Sequence, residues 1–521
     1  MGTLANVPSG TLNPMMVIEH RREFTVPRLL GLLVAATSIA WSVSVHADQP
    51  AYTNSAIRHL KKAVSPQRDD SHLTRLAALQ RLSDESLEQL FLPLVEHDSW
   101  PIQVYAVLGL ANLSDDGQVM PWLITQLDPS ARNEILAIAI DEKRLGPEQV
   151  RTLLKWKDLE EANHLALLAY LKSLGEPLAA SEVKPMLDSS NEKVIAAALL
   201  ILTWLGDEEA IDRINDVIAD LPDSRQFDIL MTLIMFIERY QIEEAATWLD
   251  VLITSNRMDG RFPELIQPGT ATLLTIAPEN GIRHWKEWIG VKPKRRDQIT
   301  GALMLLQVGT GLDTSDSDRL DENDELVKCI LNAANAVGSD SETSPRRLME
   351  LYDLNHLRST VILPGVIETL PDNQQKIVLN HFLDRLAADS ENSMNQMLAI
   401  EATERLLTID PELVHGRLQD AEDDSPLQEA MLFGILQHRN PQAIESVRPI
   451  KQIGLSLPDS LALLIIAREA DELTETQTHN LGLIASGGVL SEPLQVQAAW
   501  LYLKHTDQLE EAVPQLIKRN P

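Results

Sequence analysis

The sequence predicts an all-α chain, an α-solenoid of antiparallel helix pairs with a period of about 30 residues, irregular in its C-terminal half. Three observations predict it. Asp98, Asp128, Asp158 and Asp188 recur every 30 residues, each closing one apolar run and opening another. The runs before them are LFLPLVEH, MPWLITQL, RTLLKWK and EVKPML; those after are PIQVYAVLGLANL, ARNEILAIAI, EANHLALLAYL and KVIAAALLILTWL. Finally, aromatic residues are 4% of the chain and Gly is scarce, while Leu and Ala dominate, which suits helices and disfavours a β-rich fold.

Residues 1–47 read as an export signal with an over-long start, Met16 being the alternative first residue. Arg21, Arg22 and Arg28 make a basic leader, Leu29–Val43 an apolar stretch, and Val45-His46-Ala47 a small-residue cleavage site. The apolar run is short for a bilayer, so no stable transmembrane helix is expected after cleavage. The expected location is outside the cytoplasm, and periplasmic in a Gram-negative source. Residues 48–70 follow as a flexible lead carrying one helical piece, AIRHLKKAV.

Residues 71–255 form the regular solenoid. An Asp at each junction is placed to cap the next helix, its carboxylate accepting an orphan N–H at the positive end of the helix dipole. Leu174-Gly175-Glu176 and Leu205-Gly206-Asp207 place Gly where a left-handed C-cap is needed. Between them Val194, Ala197, Ala198, Ile201 and Leu205 keep helical spacing, and Ile195, Leu199 and Leu202 beside them are apolar too. A short helix that is apolar all round is sandwiched between neighbours. These residues resemble HEAT-type (armadillo-like) repeats of the short bacterial kind. The match lies in the junction Asp, Val six positions on (Val104, Val194), Ala eight on (Ala106, Ala166, Ala196), and the Leu-Gly-acid step. Tyr105 and Ile195 stand where that family usually has Arg. The resemblance covers residues 70–255 well and 375–521 more loosely. It implies the solenoid fold and a tendency to bind proteins, and supplies no catalytic residues.

Residues 256–344 change texture. Pro263, Pro268, Gly269, Pro278, Gly281, Gly290 and Pro293 are expected to interrupt helices, and 338–344 to form a linker at which the protein divides. Residues 345–521 return to helical runs at irregular spacing, a second repeat half.

The candidate chemistry lies mostly in the middle segment. Arg283, His284, Trp285, Lys286, Trp288, Lys292, Lys294, Arg295 and Arg296 form a basic–aromatic cluster in an otherwise acidic chain. Such residues offer cation–π surfaces and hold carboxylates or phosphates, so they are a candidate anion or partner docking face. The alternative is a helix burying Trp285 and Trp288 beside a solvated loop paired with the acidic stretch nearby. That stretch, with Asp313, Asp316, Asp318, Asp321, Glu322 and Asp324, lacks the calcium-loop spacing and reads as solvated. Ser181–Lys184 and Ser190–Lys193 are SxxK strings without the companion motifs of a serine acyl-enzyme, and both sit at helix starts where Ser caps. His97 beside Asp98 reads as a local helix-end contact. The 13 histidines show no metal-ligand spacing, and Cys329 is the only cysteine, so neither a disulfide nor a Cys-rich metal site forms within one chain. No cofactor is expected.

A formal charge of −31 disfavours nucleic acid and favours a basic partner. The expected function is a non-enzymatic, exported, protein-binding scaffold or adaptor of the cell envelope. The alternative is an envelope glycan or lipid-headgroup binder, or an enzyme, with its site near residues 283–296.

Overall fold

The computed structural model describes residues 49–114, 116–290, 294–312, 324–438, 447, 456–487 and 490–517. Among them there is no strand, and the regular elements are α-helices with a few 3-10 turns. The segment from Met16 to Ala47, expected to be an export signal, lies outside the described residues.

Up to residue 205 the helices keep the expected period. α1 (Gln49–Val64) and α2 (Ser71–Leu82) precede the pairs α3 (Glu88–Leu94) with α4 (Trp100–Leu113) and α5 (Pro121–Thr125) with α6 (Pro129–Asp141). Next come α7 (Pro147–Leu154) with α8 (Glu161–Ser173), and α9 (Ala180–Val183) with α10 (Glu192–Trp204). Asp98, Asp128 and Asp158 lie between the helices of a pair, and Asp188 ends the 3-10 turn leading into α10. Their capping role is narrower than expected. Only Asp128 is an N-cap, its carboxylate accepting the Ser130 N–H at 2.9 Å. Ser99, Glu160 and Asn191 take that position for α4, α8 and α10, because the chain stays extended past the Asp before helical angles begin. The glycines do close their helices: Gly206 has φ +94°, its N–H meets the Thr203 carbonyl at 2.9 Å, and the Asp207 N–H reaches Leu202 at 3.0 Å.

The described residues of the segment 256–344, expected to be irregular, are largely helical. It follows α11 (Asp212–Ile218) and α12 (Asp223–Tyr240), and runs through α13 (Ala246–Asp259), α14 (Ile266–Ile276), α15 (Pro278–Ile289), α16 (Arg295–Val308) and α17 (Glu325–Gly338). Pro263, Pro268 and Pro278 lie in the first turns of helical elements rather than stopping them, Pro278 in the first turn of α15, and Pro293 lies outside the described residues. Gly281 lets the α15 backbone approach Leu274 of α14 where no Cβ would fit. The expected linker at 338–344 is no spacer, since Ser344 is fully buried and donates to the Ser341 carbonyl at 2.7 Å. After it come α18 (Ser344–Asp353), α19 (Leu357–Ile367), α20 (Asp372–Ala388), α21 (Ser393–Ile409), α22 (Pro411–Asp420), α23 (Pro426–Gln437), α24 (Leu457–Glu469), α25 (Glu475–Ser486), α26 (Glu492–His505) and α27 (Leu509–Ile517).

The chain divides into two compact units, one of Met1–Thr152 with Leu379–Pro521 and the other of Leu153–Val378. In the second, α8 packs on α10, α10 on α12, α12 on α14 and α14 on α16, so alternate helices form one continuous layer. Ion pairs link successive repeats: Arg225 with Glu192 at 2.8 Å, Arg261 with Asp223 at 2.5 Å, and Lys193 with Asp228.

The first unit joins the two ends of the described chain. Its layer runs α21, α23, α24, α26, then α2, α4 and α6, so the last repeats stack directly on the first. The expected flexible lead is part of this body. α1 packs chiefly on α25 and α26, burying Tyr52, Ala56, Leu60, Ala63 and Val64 along one face. Burying a side chain such as Leu60 is worth about 2 kcal/mol, which is why the segment orders. Gly482 on α25 leaves room for the rings of Tyr52 and Tyr502, which meet edge-on with centroids 6.1 Å apart.

Candidate functional site

The basic–aromatic cluster lies in the Leu153–Val378 unit, and helix geometry separates its members. On α15, Arg283 and Trp285 are two positions apart and therefore face opposite ways. Trp285 is fully buried, its Nε1–H donating to the Gly301 carbonyl of α16 at 3.0 Å. Arg283 is exposed and pairs with Asp250 of α13. His284 between them is buried, and its Nε2 contacts the same carboxylate at 2.5 Å. That contact requires the proton on Nε2. Nδ1 has no hydrogen-bond partner, and Glu287 lies 3.8 Å away. Arg257 completes the seam, pairing with Glu287 and donating to the His284 carbonyl at 3.3 Å.

The electrostatics of this seam follow from burial and pairing. Burial alone would raise the pKa of Asp250, but hydrogen bonds from Arg283 and His284 outweigh it and hold the carboxyl below its usual range. For His284 burial is the larger effect, lowering the imidazole pKa despite Asp250. A neutral buried histidine fixed to a carboxylate is here a structural tie between α13 and α15.

Lys286 and Trp288 are half-buried on α15. Lys292 lies outside the described residues, as do Asp313, Asp316, Asp318, Asp321 and Glu322. Lys294, Arg295 and Arg296 are exposed at the start of α16. Arg295 pairs with Asp324, whose carboxylate also caps α17 by accepting the Leu326 and Val327 N–H groups at 3.1 and 3.3 Å. The cluster is thus divided among a core position, an inter-helix seam and an exposed helix start.

The other candidates have structural partners. Lys193 of the second SxxK string pairs with Asp228, and His97 accepts the Ser99 N–H at 2.9 Å. Cys329 is half-buried, and burial pushes its thiol pKa up to about 11, which disfavours the thiolate. Among the described residues no group of three or more His, Cys, Asp or Glu is arranged to hold a metal ion, and no helix is long and apolar enough to cross a membrane.

One surface was not singled out from sequence. In the first unit Leu92 (48% exposed) and Trp122 (50%) stand in the outer helices α3 and α5, with Trp100 (38%) and Met120 (48%) near them in the chain. Leu92 and Trp122 are 30 residues apart, the same offset as Asp98 and Asp128. Exposed Trp at a repeat-equivalent position was the available signal. It was hidden because MPWLITQL reads as an apolar core helix.

No family model matches this chain, and no curated protein is similar to it. Among solved structures it is similar to one of the Pds5-Scc1 complex, at 10% identity and a TM-score of 0.23, covering 88% of this chain and 72% of that one. An overlay this loose carries no argument, so the helical-repeat architecture rests on the helices and contacts of this chain.

Proposed function

We propose that this chain is a HEAT-like, non-enzymatic scaffold or adaptor, exported to the cell envelope, that binds a protein partner through the outer surface of its repeats. The observation supporting it most is the half-exposed Leu92 and Trp122 at equivalent positions of successive repeats. Large apolar side chains held in solvent by a rigid array are a typical docking feature, because binding then orders little further chain. The overall charge of −31 favours a basic partner. Export rests on the signal-like residues 16–47.

The test is affinity capture by residues 48–521 from cross-linked cell envelope, with N-terminal sequencing of the fractionated protein. One partner at near-stoichiometric yield, and a chain beginning at Asp48, are the expected results. Repeated captures without a protein would discard the scaffold reading. The competing reading, a glycan- or headgroup-binding site at 283–296, is favoured only by the exposed Lys294, Arg295 and Arg296, one of which is already paired. An Arg295→Glu/Arg296→Glu variant that loses envelope binding while keeping its fold would revive it.

A further inference from the structure

The stretch from Leu82 to Ala131 contains eight Asp or Glu residues and not one Lys or Arg. It spans α3, α4, α5 and the first turn of α6, where Arg132 follows directly, and α4 packs on α6. Stacked repeats bring equivalent positions to within about one helix spacing, roughly 10 Å. The 30-residue offset pairs positions of the two repeats in two sets. Leu92 and Trp122 form an apolar set, which ends at the next equivalent residue, the exposed and polar Thr152. Asp98 and Asp128, both exposed, form an acidic set, and Glu88 stands exposed one turn before Leu92 on α3. Trp100 opens α4 two residues after Asp98 and is itself partly exposed. Asp128 caps α6 through one carboxylate oxygen, which accepts the Ser130 N–H at 2.9 Å.

Two features give this face its selectivity. Half-exposed Trp rings provide large, rigid contact area at little entropic cost, as expected for interface anchors. A mainly acidic surround, in which Arg132 is held on the Leu127 carbonyl at 3.1 Å, favours apolar segments flanked by Lys or Arg over acidic ones. Resting on the scaffold reading above, we propose that the face formed by Leu92, Trp122 and Trp100 with Glu88, Asp98 and Asp128 is the docking site for a basic amphipathic helix of the partner protein. The partner's apolar stripe would lie along Leu92 and Trp122, its cations over Asp98 and Asp128.

The probe is a labelled Leu–Lys amphipathic helical peptide of about 18 residues, followed by fluorescence anisotropy with the purified chain. A scrambled peptide of the same composition is the control. Leu92→Ala/Trp122→Ala should weaken binding by about tenfold or more, with the helical signal unchanged because both residues are exposed. Glu88→Gln/Asp98→Asn/Asp128→Asn keeps the Asp128 cap and should chiefly slow association and flatten its salt dependence. Equal binding of the scrambled peptide, or unchanged binding by the Ala variant, overturns the site and leaves only bulk charge attraction. In cells, a photo-cross-linking residue at position 122 should trap a protein, and one at the exposed Met258 should not. Trapping at 258 alone overturns this site but retains the scaffold. Absence of a protein at both, together with blank affinity captures, removes the scaffold as well.

Discussion

Two titratable residues, one in each unit, should give the molecule opposite responses to pH. Glu404 on α21 is half-buried near Glu401, with only the Arg81 charge to offset desolvation, and burial raises its carboxyl pKa to about 7. The folded state therefore binds the proton more tightly than the unfolded chain, whose Glu titrates near 4.5. That contribution is fully present below pH 4.5 and is lost as pH rises through about 7. Glu404→Gln, which keeps shape and removes the charge, should stabilise the protein at pH 8 by up to about 3 kcal/mol and be near neutral at pH 4. Urea midpoints at the two pH values measure it; equal effects at both would discard the argument. His284 works the other way. Its pKa is lowered by burial, so the unfolded chain takes up the proton first as pH falls through 6.5, and stability is lost in that acidic window. His284→Gln keeps a donor for Asp250 and cannot titrate. It should flatten the acid limb of the stability–pH curve for the Leu153–Val378 unit, as read by hydrogen exchange on α13 and α15.

At the scale of elements, the contact between chain ends depends on a small polar network. Trp500 of α26 donates its Nε1–H to the Ser86 hydroxyl at 2.9 Å, and Ser86 donates to the buried Asp84. Lys504 of α26 closes the network on Asp84 at 2.6 Å. Residues over 400 positions apart are joined where one acid accepts from both sides. Asp84→Ala leaves Lys504 and Ser86 without that acceptor and should cost about 3 kcal/mol. Asp84→Ala combined with Lys504→Met should recover much of the loss, because the stranded charge goes too; a double variant as weak as the sum of the singles would refute the coupling. The same region shows what sequence could and could not disclose. Helix pairs up to Leu205 were legible because the period, the C-cap glycines and the apolar stripes are local. α1 was underread because its partners, α25 and α26, lie at the other end of the chain, and RHLKK looks solvated without them. The prolines at 263, 268 and 278 misled because Pro both stops a helix and starts one. In the candidate cluster, the two-residue step from Arg283 to Trp285 already implied opposite faces, while the pairing with Asp250 depends on stacking between repeats.

For the whole molecule, the consequence is that sequence order and stacking order differ. In a linear solenoid each repeat contacts only its neighbours in sequence, and removing the last repeats leaves the first ones intact. Here the layer of the first unit passes from α24 and α26 directly to α2 and α4. Gln497 of α26 donates to the Ala78 carbonyl of α2 at 2.8 Å, and Arg75 of α2, almost wholly buried, pairs with Glu492. A chain cut before Leu457 loses α24 to α27 and strips α1 and α2 of the surface on which they are buried. Amide exchange in Ser71–Leu82 should then accelerate by orders of magnitude, although this helix is hundreds of residues from the cut, while Glu192–Trp204 in the other unit should keep its protection. Exchange mass spectrometry on the intact and shortened chains makes the comparison. Unchanged protection of Ser71–Leu82 would mean that the first repeats stand without the last, and the stacking order proposed for this unit would be wrong.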